Sequence, residues 1–128
     1  DIPGRVRGSL VAFEQGETTG YGIFSLQDRG TMFISPGQAV YEGMIVGENS
    51  REMDIDINPC KAKHVSNMRT SASDEAIRLV PPRILSLEQA IEYINQDELV
   101  EITPESIRLR KAILDKTVRG RASKNARK

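Results

Sequence analysis

The chain has 128 residues, a length typical of one domain, and its 18 basic and 18 acidic side chains cancel to a net charge of zero. The sequence contains no Trp and few aromatic residues, which argues against a base-stacking platform for single-stranded nucleic acid. No apolar run is long enough to span a membrane, and a single cysteine excludes an internal disulfide and favours a reducing compartment.

The charge is distributed unevenly along the chain. Residues 1–104 hold nine Lys/Arg and sixteen Asp/Glu, whereas residues 105–128 hold nine Lys/Arg and two Asp/Glu. A second region, residues 57–73, has no acidic residue and contains Lys61, Lys63, His64 and Arg69. Two basic regions on an acidic body predict a localised contact with a polyanion, for which nucleic acid is the usual choice. A solvated tail that only aids solubility is the alternative for the C-terminal region.

The first half of the chain is predicted to be β-structure. Short apolar runs separated by Gly, Pro and Asn turns occur at residues 10–13, 18–26, 31–34, 40–46 and 55–57. Glycines within these runs are typical of the bends that small barrels need. The sequence therefore predicts a mainly antiparallel, barrel-like β-sheet.

The stretch from residue 60 to residue 73 shows no apolar periodicity and is predicted to be an exposed, mobile loop, followed by a short strand at residues 76–80. Cys60 and His64 lie four residues apart within it. Two ligands do not make a zinc site, and no third group is marked out to orient a Cys–His pair. We interpret Cys60 as a small buried thiol and His64 as part of the basic loop.

The clearest helical signal begins at Ser86. Ser86 is a good N-cap with Gln89 at the capping-box position, and an apolar face follows at Leu87, Ala90, Ile91 and Ile94. This pattern predicts a helix near residues 86–95. With the preceding strands it gives an α+β fold class.

A hairpin is predicted after this helix. Residues 99–103 form its first strand, and the strict alternation at residues 107–110 forms the return strand. Ile107 and Leu109 should point inward, and Arg108 and Arg110 should share the outer face. We divide the chain into a linker from a preceding domain at 1–7, one domain at 8–114, and a basic tail at 115–128 that is a frayed helix or disordered. This division treats the chain as a piece cut from a longer protein.

Four strings carry a family resemblance. They are Leu-Gln-Asp-Arg-Gly at 26–30, Val-Tyr-Glu-Gly-Met-Ile-Val-Gly-Glu at 40–48, Ser-Asn-Met-Arg-Thr-Ser at 66–71, and Asp-Glu-Leu-Val-Glu-Ile-Thr-Pro-Glu-Ser-Ile-Arg-Leu-Arg-Lys at 97–111. In this order and spacing they resemble the C-terminal region of the BipA (TypA) family of translational GTPases, over roughly residues 4–116.

The resemblance implies a ribosome-binding module with no catalysis of its own. In that family the C-terminal domain contacts large-subunit ribosomal RNA near the A-site and the acceptor end of A-site tRNA, and the proteins are linked to ribosome assembly and stress adaptation. This chain has no phosphate-loop motif, so GTP and Mg²⁺ are expected only in a missing domain of the parent protein. We expect a monomer that does not bind membranes, located in the cytoplasm or in a bacterially derived organelle.

Nine residues are predicted to bind RNA: Lys61, Lys63, His64, Asn67, Arg69, Ser71, Arg108, Arg110 and Lys111. The cations would neutralise phosphates, and Asn67 and Ser71 would bond sugar or phosphate oxygens. Alternatively, Asn67 and Thr70 shape the loop by local hydrogen bonds, and the hairpin arginines pair across the strands with Glu101. A second function class also stays open, in which the acidic face docks a basic ribosomal protein or another domain.

Overall fold

The computed structural model describes residues 7–61 and 79–126. Three helices and eight strands lie in these two ranges. In chain order they are β1 (Ser9–Ala12), β2 (Gly16–Glu17), α1 (Gly20–Leu26), β3 (Gly30–Met32), β4 (Ala39–Val40), β5 (Met44–Asn49), β6 (Ile55–Ile57), α2 (Leu87–Tyr93), β7 (Glu98–Ile102), β8 (Ile107–Lys111) and α3 (Lys116–Ala126). None of the helices in the described ranges has the length and apolar character needed to cross a membrane.

Six strands form one mixed sheet in the order β6-β1-β5-β8-β7, with β3 also paired to β5, and β2 and β4 form a separate two-stranded sheet. All pairs are antiparallel except β1 with β6. Strand β6 runs opposite to β5, but one edge of β5 is already paired with β1. Strand β6 therefore pairs with the other edge of β1, to which it is parallel. The α+β class and the mostly antiparallel sheet are confirmed, while the barrel-like closure is wrong because the sheet is open.

Residues 18–26 differ from the predicted strand. Gly20–Leu26 form helix α1, which begins after Thr19, whose Oγ1 accepts a hydrogen bond from the Gly22 amide at 2.8 Å. Ile23 and Leu26 lie three residues apart and are both buried, as a helical face requires. A Cβ on Gly22 would lie 2.2 Å from the carbonyl oxygen of Pro59, so this glycine permits close packing of two backbones.

The sheet separates two apolar clusters, because successive residues of a strand point to opposite faces. Leu10 packs on one face with Ile23 and Leu26 of α1, and Val11 packs on the other with Ala90 and Tyr93 of α2. The Phe33 and Tyr93 rings meet edge to face with their centroids 5.2 Å apart. Among the described residues, one short helix packs on each face of the sheet.

Helix α2 lies within the range predicted for it, and the Ser86–Gln89 capping box is formed in both directions. Its buried side chains are Ala90 and Tyr93, whereas Leu87 and Ile91 are exposed, Ile91 by 56%. The predicted apolar face is thus only partly the buried one. The reason is that the Tyr93 hydroxyl hydrogen-bonds Ser9 Oγ at 2.8 Å, which turns that side of the helix onto β1.

Candidate nucleic-acid interface

Four of the nine predicted RNA-binding residues lie in the part of the chain that the structure describes: Lys61, Arg108, Arg110 and Lys111. The other five, Lys63, His64, Asn67, Arg69 and Ser71, lie outside the described residues. The same is true of most of the predicted loop at 60–73, of most of the predicted strand at 76–80, and of the predicted linker up to residue 6. The structure thus describes Lys61, near the start of the predicted loop, and the hairpin cations.

Lys61 stands near the start of the predicted loop at 60–73, which we call the basic segment, and it is exposed. Its carbonyl oxygen accepts a hydrogen bond from Thr19 Oγ1 at 2.7 Å, and the Thr19 amide donates to the Pro59 carbonyl at 3.1 Å. Thr19 is also the N-cap of α1. Lys61 is therefore tied to the first turn of a helix.

Cys60, beside Lys61, is partly buried rather than fully buried as expected. Burial, with the carboxylates of Glu14 and Glu17 nearby, raises the pKa of its thiol. A raised pKa keeps the sulfur protonated at neutral pH, so it is a poor nucleophile.

The β7–β8 hairpin is confirmed, with five residue pairs from Glu98↔Lys111 to Ile102↔Ile107. Leu109 is buried, whereas Ile107, which shares its face at the end of the hairpin, is more than one third exposed. The pair Ile102↔Ile107 closes the strands before the turn, and Ile102 is exposed as well. The tip of the hairpin therefore extends beyond the core.

Glu101 connects two side chains on the outer face of this hairpin. Its Oε2 lies 3.1 Å from Arg110 Nε, and its Oε1 accepts a hydrogen bond from the Tyr41 hydroxyl. Burial, and then the bond to Glu101, raise the pKa of Tyr41 well above its usual value. The alternative considered for the arginines, pairing with Glu101, is thus present for Arg110. Arg108 is half-buried and forms no ion pair with any residue in the ranges 7–61 and 79–126.

Lys111 differs most from the expectation of RNA contact. Its side chain is 3% exposed, and its Nζ lies 2.7 Å from Glu98 Oε2, 2.9 Å from Asp97 Oδ2 and in contact with Asp54. Burial lowers the pKa of Lys111, but the bonds to these carboxylates outweigh it and raise the pKa overall. An ammonium has three donors, and all three face carboxylates here, so we remove Lys111 from the RNA-binding set.

An ion pair at the base of the C-terminal helix was not predicted from the sequence. Arg119 of α3 pairs with Asp56 of β6, and its Nη1 donates to the carbonyl oxygens of Ile113 and Leu114 at 3.2 and 2.5 Å. The basic tail was predicted to be either a frayed helix or disordered, and the structure shows a helix over Lys116–Ala126. The charge run indicated the cations, but no signal in the sequence indicated their partners.

Residues 7–116 match the family described as the TypA/BipA C-terminal domain. The chain belongs to this family. It is 49% identical over 123 residues to the large ribosomal subunit assembly factor BipA of Bacillus subtilis, 50% identical over 119 residues to that of Synechocystis, and 46% identical over 124 residues to that of Escherichia coli K12. These alignments cover 93–97% of this chain but about a fifth of each relative, and they confirm the resemblance carried by the four strings.

Proposed function

We propose that this chain is the ribosome-binding C-terminal module of a translational GTPase that acts in assembly of the large ribosomal subunit. The observation that carries the proposal is its match, over nearly its whole length, to proteins named as large ribosomal subunit assembly factors. The module would lie at the A-site side of the subunit, against ribosomal RNA and the acceptor end of tRNA, and would serve in stress adaptation. GTP and Mg²⁺ would be bound by another domain of the complete protein, in the cytoplasm or an organelle of bacterial origin.

The proposed mechanism is electrostatic positioning. Lys61 is exposed within the acid-free region at 57–73, and Lys63 and Arg69 follow it in sequence. Phosphates would be attracted to this segment and repelled by the acidic body. Arg108, which has no acidic partner in the described part of the chain, is the hairpin cation best placed to join them. Arg110 would contribute less because Glu101 already neutralises it.

Docking of a basic ribosomal protein or another domain is the second candidate. It is favoured by the carboxylates around Lys111, where three acids face one ammonium, and by Asp97, which is 66% exposed in that cluster. An excess of negative charge at a partly open site is complementary to a basic protein surface.

The test uses purified large ribosomal subunits and the complete natural protein that contains these residues. Replacing Lys61, Lys63 and Arg69 together by Ala should weaken binding and reduce the slope of log affinity against log salt by about 0.7–0.9 for each phosphate that is no longer neutralised. The matched control replaces three exposed cations of the body, Arg29, Arg51 and Arg83, and makes the same change in net charge.

The two candidates predict different results in this assay. RNA binding through the segment predicts a much larger effect from the segment variant than from the control. If the segment variant is folded and keeps both affinity and salt slope, the segment is not the contact. Docking through the acidic face would then be the better explanation.

A further inference from the structure

The first turn of helix α3 is attached to the acidic body. Glu42 Oε2 accepts a hydrogen bond from the Lys116 amide at 2.9 Å, and Lys116 Nζ lies 5.3 Å from the centre of the Phe13 ring. Asp115 Oδ1 accepts from the Val118 amide at 2.9 Å, as a capping residue does. The helix therefore begins at a defined place on the molecule.

Arg119 joins the start of α3 to the sheet. Its side chain is 14% exposed and joins Asp56 on the sheet to the carbonyl oxygens that precede the helix. Apolar packing contributes little at this end, because Ile113, Leu114 and Val118 are all more than one third exposed. A cavity of about 760 Å³, lined by Val11, Lys111 and Gly120 among others, lies beside Arg119. The Asp56–Arg119 ion pair thus joins the helix to the sheet, beside the contacts of Lys116 with Glu42 and Phe13.

The orientation of Arg119 fixes where the next cation points. Successive residues of an α-helix are turned by about 100°, so Arg121 is turned about 200° from Arg119 and away from the body. Arg121 is exposed, as this geometry requires. The sequence of α3 contains no acidic residue and also includes Lys116 and Lys124.

We propose that α3 is a second RNA-contacting element, held at a fixed angle by the Asp56–Arg119 pair, with the exposed Arg121 binding a phosphate of the same ribosomal RNA. The proposal rests on the proposed function and deepens it. RNA is the occupant that the charges favour, because an acid-free cationic helix that exposes Arg121 beside an acidic body is complementary to a polyanion. Asp56 acts as a positioning residue and does not itself touch RNA.

Positioning and simple charge attraction predict opposite signs for one substitution. Asp56→Asn removes a negative charge from the body, so charge attraction alone predicts equal or tighter RNA binding. If the ion pair positions α3, the freed helix must be ordered again on binding, and affinity falls. The control is Asp28→Asn, which makes the same charge change at an exposed turn after α1.

The experiment measures binding of the complete natural protein to purified large ribosomal subunits over a range of salt concentrations, with urea unfolding as the check on folding. Asp56→Asn should bind at least about threefold more weakly than Asp28→Asn, with a similar salt slope, and Asp56→Glu should restore most of the affinity. Arg121→Ala, on an exposed position, should lower the salt slope by about 0.7–0.9.

Each result decides between the ideas. If folded Asp56→Asn binds as tightly as Asp28→Asn, α3 is not positioned by the pair. Should Arg121→Ala leave the slope unchanged, α3 does not contact RNA, and this second variant keeps the test valid even if Asp56→Asn does not fold. If the Lys61, Lys63 and Arg69 variant loses binding while Asp56→Asn and Arg121→Ala bind like the wild type, the role of α3 is overturned and the proposed function stands. No binding by the wild-type protein would overturn the proposed function as well.

Discussion

Replacing Lys111 by Met should strongly destabilise the fold. The variant removes the cation that faces Glu98, whose side chain is 0% exposed, and leaves a buried carboxylate without its counter-ion. Breaking a buried ion pair from one side costs about 3–5 kcal/mol. Asp54 and Asp97 are 38% and 66% exposed, so their bonds to Lys111 should each add at most about 1 kcal/mol. We expect a total loss of about 3–7 kcal/mol in the free energy of unfolding.

Urea unfolding measures this loss directly. With a slope of roughly 1–3 kcal/mol per molar urea, the midpoint should fall by about 2 M while the slope stays the same. The matched control is Lys116→Met, which makes the same substitution at an exposed lysine. Adding Glu98→Gln to Lys111→Met removes the buried charge and should recover part of the loss. A Lys111→Met variant within about 1 kcal/mol of the wild type would refute the reasoning.

Three further predictions concern stability. The pKa of Lys111 is raised on folding, so its stabilising effect is present below the unfolded pKa of about 10.4 and is lost as pH rises through the folded value; urea unfolding should show a smaller Lys111→Met penalty at about pH 11 than at about pH 8. Gly43 has φ +93°, and a Cβ there would lie 2.6 Å from Leu114 Cδ2. Gly43→Ala should therefore lower the free energy of unfolding by about 2 kcal/mol or more, as measured by thermal unfolding. The control Gly120→Ala should cost nothing, because a Cβ there would meet no neighbouring atom within 4 Å. Ser86→Ala should lose about 1 kcal/mol in the free energy of unfolding, and a variant as stable as the wild type would contradict the cap as a source of stability.

Local signals predicted the fold well where one segment contains all the information. The Ser86–Gln89 capping box is such a signal, because both partners lie within one turn. The prediction for residues 18–26 was wrong because a short apolar run with glycines fits either a strand or a helix. Thr19 before Ile23 and Leu26 was the available helical signal. The parallel pairing of β1 with β6 depends on β1 already lying beside β5, and no local pattern expresses that.

The candidate site shows the same division. Continuing the alternation of Ile107 and Leu109 by two residues places Lys111 on the inner face, so its burial could have been predicted from the sequence. Its pairing with Asp54 and the Asp56–Arg119 pair could not have been predicted, because only the sheet topology brings these distant segments together. The roles of Lys63, His64, Asn67, Arg69 and Ser71 stay predictions.

The central position of β5 has a consequence for the speed of folding. Ile45 of β5 pairs with Val11 on one side and with Leu109 on the other. Neither pairing can form until a long stretch of chain has been brought together, and closing such loops costs entropy before any contact repays it. The sheet is therefore expected to form in milliseconds to seconds rather than microseconds. During synthesis its centre stays incomplete until β8, close to the C-terminal end of this chain, has been made.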